Sequence, residues 1–157
     1  MTDLLASLEA STFSTWLRES PSVWAYPTIL TLHTVGLGVL VGTNWMVDLR
    51  VLGVGRAIPI GLLSRAFPIM WAGFWVNAIS GMLLFVADPA KATTTIFAWK
   101  LAIIAVGVAF VLLLKRRVYG RGVEMDRASF AVKTVAAVSV MIWIAAIATG
   151  RWMAYVV

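Results

Sequence analysis

The 157 residues are 61% hydrophobic and only 13% charged, contain no cysteine, and carry a formal net charge of +6. A soluble domain is nearer half apolar and a quarter charged, so water is excluded as the main solvent, and the missing thiols exclude disulfides, thiolate metal sites and cysteine nucleophiles. The positive charge does not point to nucleic acid, because the basic residues stand beside apolar spans, where anionic lipid and membrane topology account for them.

The segment 1–20 places Leu4, Leu5, Leu8, Trp16 and Leu17 at near-helical spacing, interrupted by Asp3, Glu9, Arg18 and Glu19. This pattern predicts an amphipathic interfacial helix, and without a basic leader or a continuous apolar stretch it does not read as a signal peptide. Ser20 and Pro21 end it, and residues 21–157 form the membrane domain. Crossing a hydrocarbon core about 30 Å thick takes about 20 residues. Four apolar stretches meet that length, at 27–47, 67–87, 96–114 and 128–149. The expected fold is therefore an all-α membrane protein, a four-transmembrane-helix bundle behind an N-terminal amphipathic interfacial helix.

Basic residues resist translocation, so their distribution orients the bundle. The connections 48–66 and 115–127 hold Arg50, Arg56, Arg65, Lys115, Arg116, Arg117, Arg121 and Arg127, with Lys133 just inside the fourth span, whereas the opposite side has Arg18, Lys91, Lys100 and Arg151. Both long connections are expected in the cytoplasm and both termini in the periplasm of a bacterial inner membrane. Trp24, Tyr26, Trp99, Trp152 and Tyr155 would form the outer aromatic belt, with Trp45 and Trp71 at the inner boundary.

Polar groups inside hydrocarbon need partners. His33, the sole histidine, lies about 10 Å deep in the first span, and Asn77 about one turn deeper in the second. Ser80, Ser139 and Trp143 are expected in the same outer half, giving a polar intramembrane site of His33, Asn77, Ser80, Ser139 and Trp143. His33, Leu37, Leu40, Asn44 and Asp48 share one helical face, which should point inward. Gly38 and Gly42 form a GxxxG, and Gly73, Asn77 and Gly81 repeat at four-residue spacing; both stripes are expected to serve packing within the bundle rather than a dimer face. At the boundaries, Asp48 and Arg50 should pair, while Lys100, near Asp88, Lys91 and Arg151, should snorkel to the headgroups.

The strings His33-Thr34-Val35-Gly36, Asp48-Leu49-Arg50-Val51-Leu52-Gly53, Gly81-Met82-Leu83-Leu84-Phe85 and Phe97-Ala98-Trp99-Lys100-Leu101 resemble an uncharacterised family of small bacterial membrane proteins over nearly the whole chain. That family is distantly similar to the copper-resistance D type of four-helix membrane domain and to bundles that hold b-type haem. The resemblance implies a second histidine near the end of the third span, where this chain has Lys115, and it marks His33, Asp48, Arg50 and Lys100 as the positions of interest.

No Walker loop, GxSxG, HExxH or dinucleotide fingerprint is present, so no catalytic constellation and no protein-only metal site is expected. The leading expectation is a non-catalytic bundle that self-associates or serves as an accessory component of a larger membrane complex, with lipid as its solvent. Two alternatives stand beside it. One is a redox subunit in which His33 ligates b-type haem, with Met82, Met141 or a second subunit as the other axial group. The other is an ion or small-solute pathway lined by His33, Asn77 and Ser80.

Overall fold

A computed structural model of the chain describes residues 2–89, 94–119 and 129–156. Every regular element in them is helical: α1 (Thr2–Glu9), α2 (Thr12–Glu19), α3 (Tyr26–Leu52), α4 (Ile60–Ser64), α5 (Ala66–Ala87), α6 (Thr95–Tyr119) and α7 (Phe130–Val156). Helices α3, α5, α6 and α7 are long and apolar enough to cross a membrane. They outrun the apolar stretches because charged residues at their ends still form helix once outside the hydrocarbon. At 27 residues, α3 is about 40 Å long. Lys91, Arg121, Arg127 and Ala128, which entered the reading of topology and spans, lie outside the described residues.

The leader is two helices rather than one. Ser11 breaks it, its hydroxyl donating to the Leu8 carbonyl at 2.7 Å and accepting from the Ser14 amide at 3.2 Å, which caps α2. Leu17 of α2 is fully buried with Ala25, Ile29 and Ala87, so the leader closes one end of the α3/α5 pair, while Phe13 and Trp16 stay exposed. The other end, where Lys115 lies, is called here the basic end. There Leu63 of α4 is buried with Val47, Val51, Leu114, Val132 and Ala136. A segment expected as plain connection thus supplies part of the core.

Helix α3 is the hub, packing antiparallel on α5 and on α7, and α6 packs on α7. The closest approach is between Gly36 and Gly73. A Cβ at Gly36 would sit 2.6 Å from the Asn77 nitrogen, and one at Gly73 would sit 2.8 Å from the Leu40 nitrogen, so only hydrogen fits at either position. Gly107 of α6 serves similarly, a Cβ there falling 3.2 Å from the Trp143 ring. Gly38 and Gly42 do not: a Cβ on either would meet nothing within 4 Å. The GxxxG of α3 therefore points out of the bundle, and the expectation that it packs internally is corrected. Gly36 lies about 200° around the helix from Gly38, so the two cannot share a face.

At the basic end α3 stops at Gly53, whose φ of 103° suits glycine; the Val54 amide returns to the Leu49 carbonyl at 2.9 Å and the Gly53 amide to that of Arg50 at 3.1 Å. Asp48 and Arg50 are therefore helical residues rather than the start of a loop. Exposed Trp24, Tyr26, Trp99, Trp152 and Tyr155 gather at the opposite end. Trp45 and Trp71 are instead half-buried against the central core of Leu40, Phe67, Met70 and Val111.

Candidate functional site

The antiparallel α3/α5 contact brings His33, Asn77 and Ser80 together in the half of the bundle away from the basic end. His33 Nδ1 lies 2.9 Å from the Asn77 backbone carbonyl. A carbonyl can only accept, so His33 carries a proton on Nδ1. The same nitrogen is 3.2 Å from Ser80 Oγ, whose own proton goes to the Val76 carbonyl at 2.6 Å. Asn77 Nδ2 donates to the His33 carbonyl at 2.8 Å. Each side chain thus binds the other residue's backbone, a reciprocal clasp across the α3/α5 seam. It is legible from helical depth plus the absence of side chains at Gly36, Gly73 and Gly81, the last lying where a Cβ would be 3.1 Å from His33 Cε1.

Ser139 and Trp143 do not join this group. Ser139 is fully buried about three turns away along the bundle, where Asn44 Nδ2 bonds its Oγ at 3.1 Å and Asp48 Oδ2 at 2.6 Å. The register of α7 against α3 decides this, and depth counted from span ends misjudges it. Trp143 is fully buried in the centre, its ring on Gly107 and its Nε1 without an acceptor. It borders a cavity of about 10 Å³ with Leu40, Met70 and Phe74.

The expected Asp48–Arg50 pairing is replaced by separate roles. The Asp48 carboxylate receives the Asn44 amide, and its other oxygen, Oδ1, is buried without a hydrogen-bond partner. Arg50 donates to the Ile58 carbonyl at 3.0 Å and the Arg56 carbonyl at 3.2 Å, pinning the connection that leads to α4. Sequence reading treated Asn44 as one member of an inward stripe; its role as the link between Asp48 and Ser139 depends on α7, which no local pattern specifies. Lys100 is half-buried, its Nζ within 3.8 Å of where a Cβ on Gly150 would be, so its stem runs along α7. Neighbouring Arg151 is exposed.

His33 Cε1 lies against Gly81, and the cavity of about 10 Å³ in the bundle centre is not lined by His33. Met82 and Met141 are each 63% exposed on the outside of the bundle.

Residues 21–156, the whole transmembrane bundle, match a family of unknown function, DUF6644. The chain belongs to that family. No curated protein and no solved structure matches it. The family's extent coincides with the four long helices and begins just after α2, so the leader lies outside the matched region.

Proposed function

We propose that this protein is a small non-catalytic component of a bacterial inner membrane, held there as a self-associating bundle through the outward GxxxG face of α3. The observation that carries this reading is that Gly38 and Gly42 face open space while Gly36, Gly73 and Gly107 make the internal contacts. Val35, Gly38, Gly42, Met46 and Leu49 form one exposed stripe along α3, the helix that holds the bundle together. Such a stripe lets two helices approach closely in lipid, where dispersion contacts rather than water drive association. A second copy of α3 fits it, and a bundle with its polar groups tied into internal clasps is suited to an accessory role in a larger assembly. The excess of Lys and Arg in the two long connections supports a cytoplasmic basic end and periplasmic termini.

The alternative reading puts a haem ligand or a solute pathway at His33. The engagement of His33, Asn77 and Ser80 with one another favours the structural reading, because a lumen there would have to open the glycine contact first.

The chain has no cysteine, so a single Val35→Cys reports on the interface cleanly. Oxidation in membranes should yield a disulfide-linked dimer, and adding Gly38→Leu should abolish it while leaving monomer stability unchanged. Absence of the cross-link, together with a monomer by light scattering in mild detergent, would overturn the proposal.

A further inference from the structure

Helices α6 and α7 carry no acidic residue over their whole length, yet each brings a cation to the end of the bundle away from the basic end. Lys100 stands in the second turn of α6, about 7.5 Å along the axis from Thr95, and Arg151 stands five residues before the end of α7 at Val156. The two meet at Gly150. A Cβ there would sit 3.7 Å from Lys100 Cε and 3.8 Å from Lys100 Nζ, so the ammonium group lies over the backbone of α7, next to the residue that carries the guanidinium. Like charges brought together at the edge of a low-dielectric phase repel unless an anion offsets them, and a lysine held partly out of water needs a partner. The protein supplies none. Among the described residues neither cation has a carboxylate within salt-bridge distance, and Asp88 is not near enough to Lys100 to offset its charge. The group within coulombic reach of Lys100 from α3 is His33, and an imidazole brings no negative charge. The N-terminal end of α6, the positive end of its dipole, adds to the same field.

We infer that Lys100 and Arg151 form a site for the phosphate of an anionic phospholipid in the leaflet at this end of the bundle. A guanidinium fork pairs with two phosphate oxygens, and an ammonium group adds a point charge beside them. Depth selects a lipid as the source of the phosphate. Trp99 adjoins Lys100 and Trp152 adjoins Arg151, and both are exposed, as indole rings are where they settle at headgroup level. Charge selects an anionic lipid: a choline or ethanolamine headgroup would bring a third cation to the two already there, whereas a glycerol headgroup brings none. The site is on the α6/α7 side of the bundle and does not depend on self-association through α3.

Purified full-length protein in a neutral detergent is titrated with short-chain phosphatidylglycerol, with short-chain phosphatidylcholine and with inorganic phosphate, following tryptophan emission and the thermal unfolding temperature. Phosphatidylglycerol should give a saturable response. Its half-saturation point should move about fivefold upward in Lys100→Gln, the loss of one basic group's attraction, stay near the wild-type value in Lys100→Arg, and be unchanged in Lys115→Gln at the basic end. Equal half-saturation points for phosphatidylglycerol and phosphatidylcholine, or an unchanged one in Lys100→Gln, overturn the site. A response to inorganic phosphate equal to that to the lipid makes it a free-anion site and overturns the lipid assignment. If Lys100→Gln fails to fold, Arg151→Gln, at an exposed position, decides: an unchanged half-saturation point there overturns the site equally.

Discussion

Two polar clusters lie on the same helix at about three turns' separation, and they are built differently. At His33 the polar atoms close on one another: imidazole to the Asn77 carbonyl, Asn77 amide to the His33 carbonyl, Ser80 hydroxyl to Val76. At Asp48 one oxygen stays open although the residue is fully buried. The difference follows from backbone distance. The His33 cluster sits where Gly36 and Gly73 let α3 and α5 nearly touch, so side chains reach opposing backbone carbonyls. The Asp48 cluster sits on the α3/α7 seam, where side chains meet side chains instead of opposing backbone.

The largest effect should come from breaking the close approach that makes the first cluster self-sufficient. Gly73→Val places a Cβ against the Leu40 nitrogen and Val39 Cγ1, both at 2.8 Å, and backbone cannot yield as a flexible side chain can. A loss at or above the roughly 1–3 kcal/mol of ordinary overpacking is expected in detergent unfolding. A Gly73→Val protein as stable as wild type would show that the α3/α5 contact does not hold the bundle.

An effect of opposite sign is expected at the second cluster. Asp48→Asn, nearly isosteric, removes a buried carboxyl with one oxygen unpartnered and should stabilise the protein by about 1 kcal/mol in detergent unfolding, whereas truncating a satisfied partner destabilises. Destabilisation by Asp48→Asn would mean that the two clusters are energetically alike.

The smallest effect concerns the clasp. His33→Leu and Asn77→Leu should each cost stability, with the double variant costing less than the sum by about 0.6 kcal/mol, the average for membrane hydrogen bonds in measured cycles. Strict additivity would dissolve the clasp into independent contacts, and a coupling of several kcal/mol would point to a ligand held there.

Much of this was legible in the chain. Apolar lengths of about 20 residues located four helices, and helical rise put His33 and Asn77 at meeting depths. The inward stripe from Leu40 through Asn44 to Asp48 followed from the helical repeat. Other features were not. The break at Ser11 and the burial of Leu63 hinge on short polar and turn-rich segments whose geometry is settled by what they pack against.

What the sequence determined by itself was the solvent, the number of long helices, and the depth at which His33 and Asn77 meet. Only the tertiary structure decided which face of each helix turned inward, sending Gly36 to the core and Gly38 to the outside, and placing Ser139 with Asp48 rather than His33. The physical reason is the solvent. In water an apolar face is driven inward and the pattern shows it, but lipid is as apolar as the core, so both faces of α3 read alike until close packing and hydrogen bonds between helices choose between them.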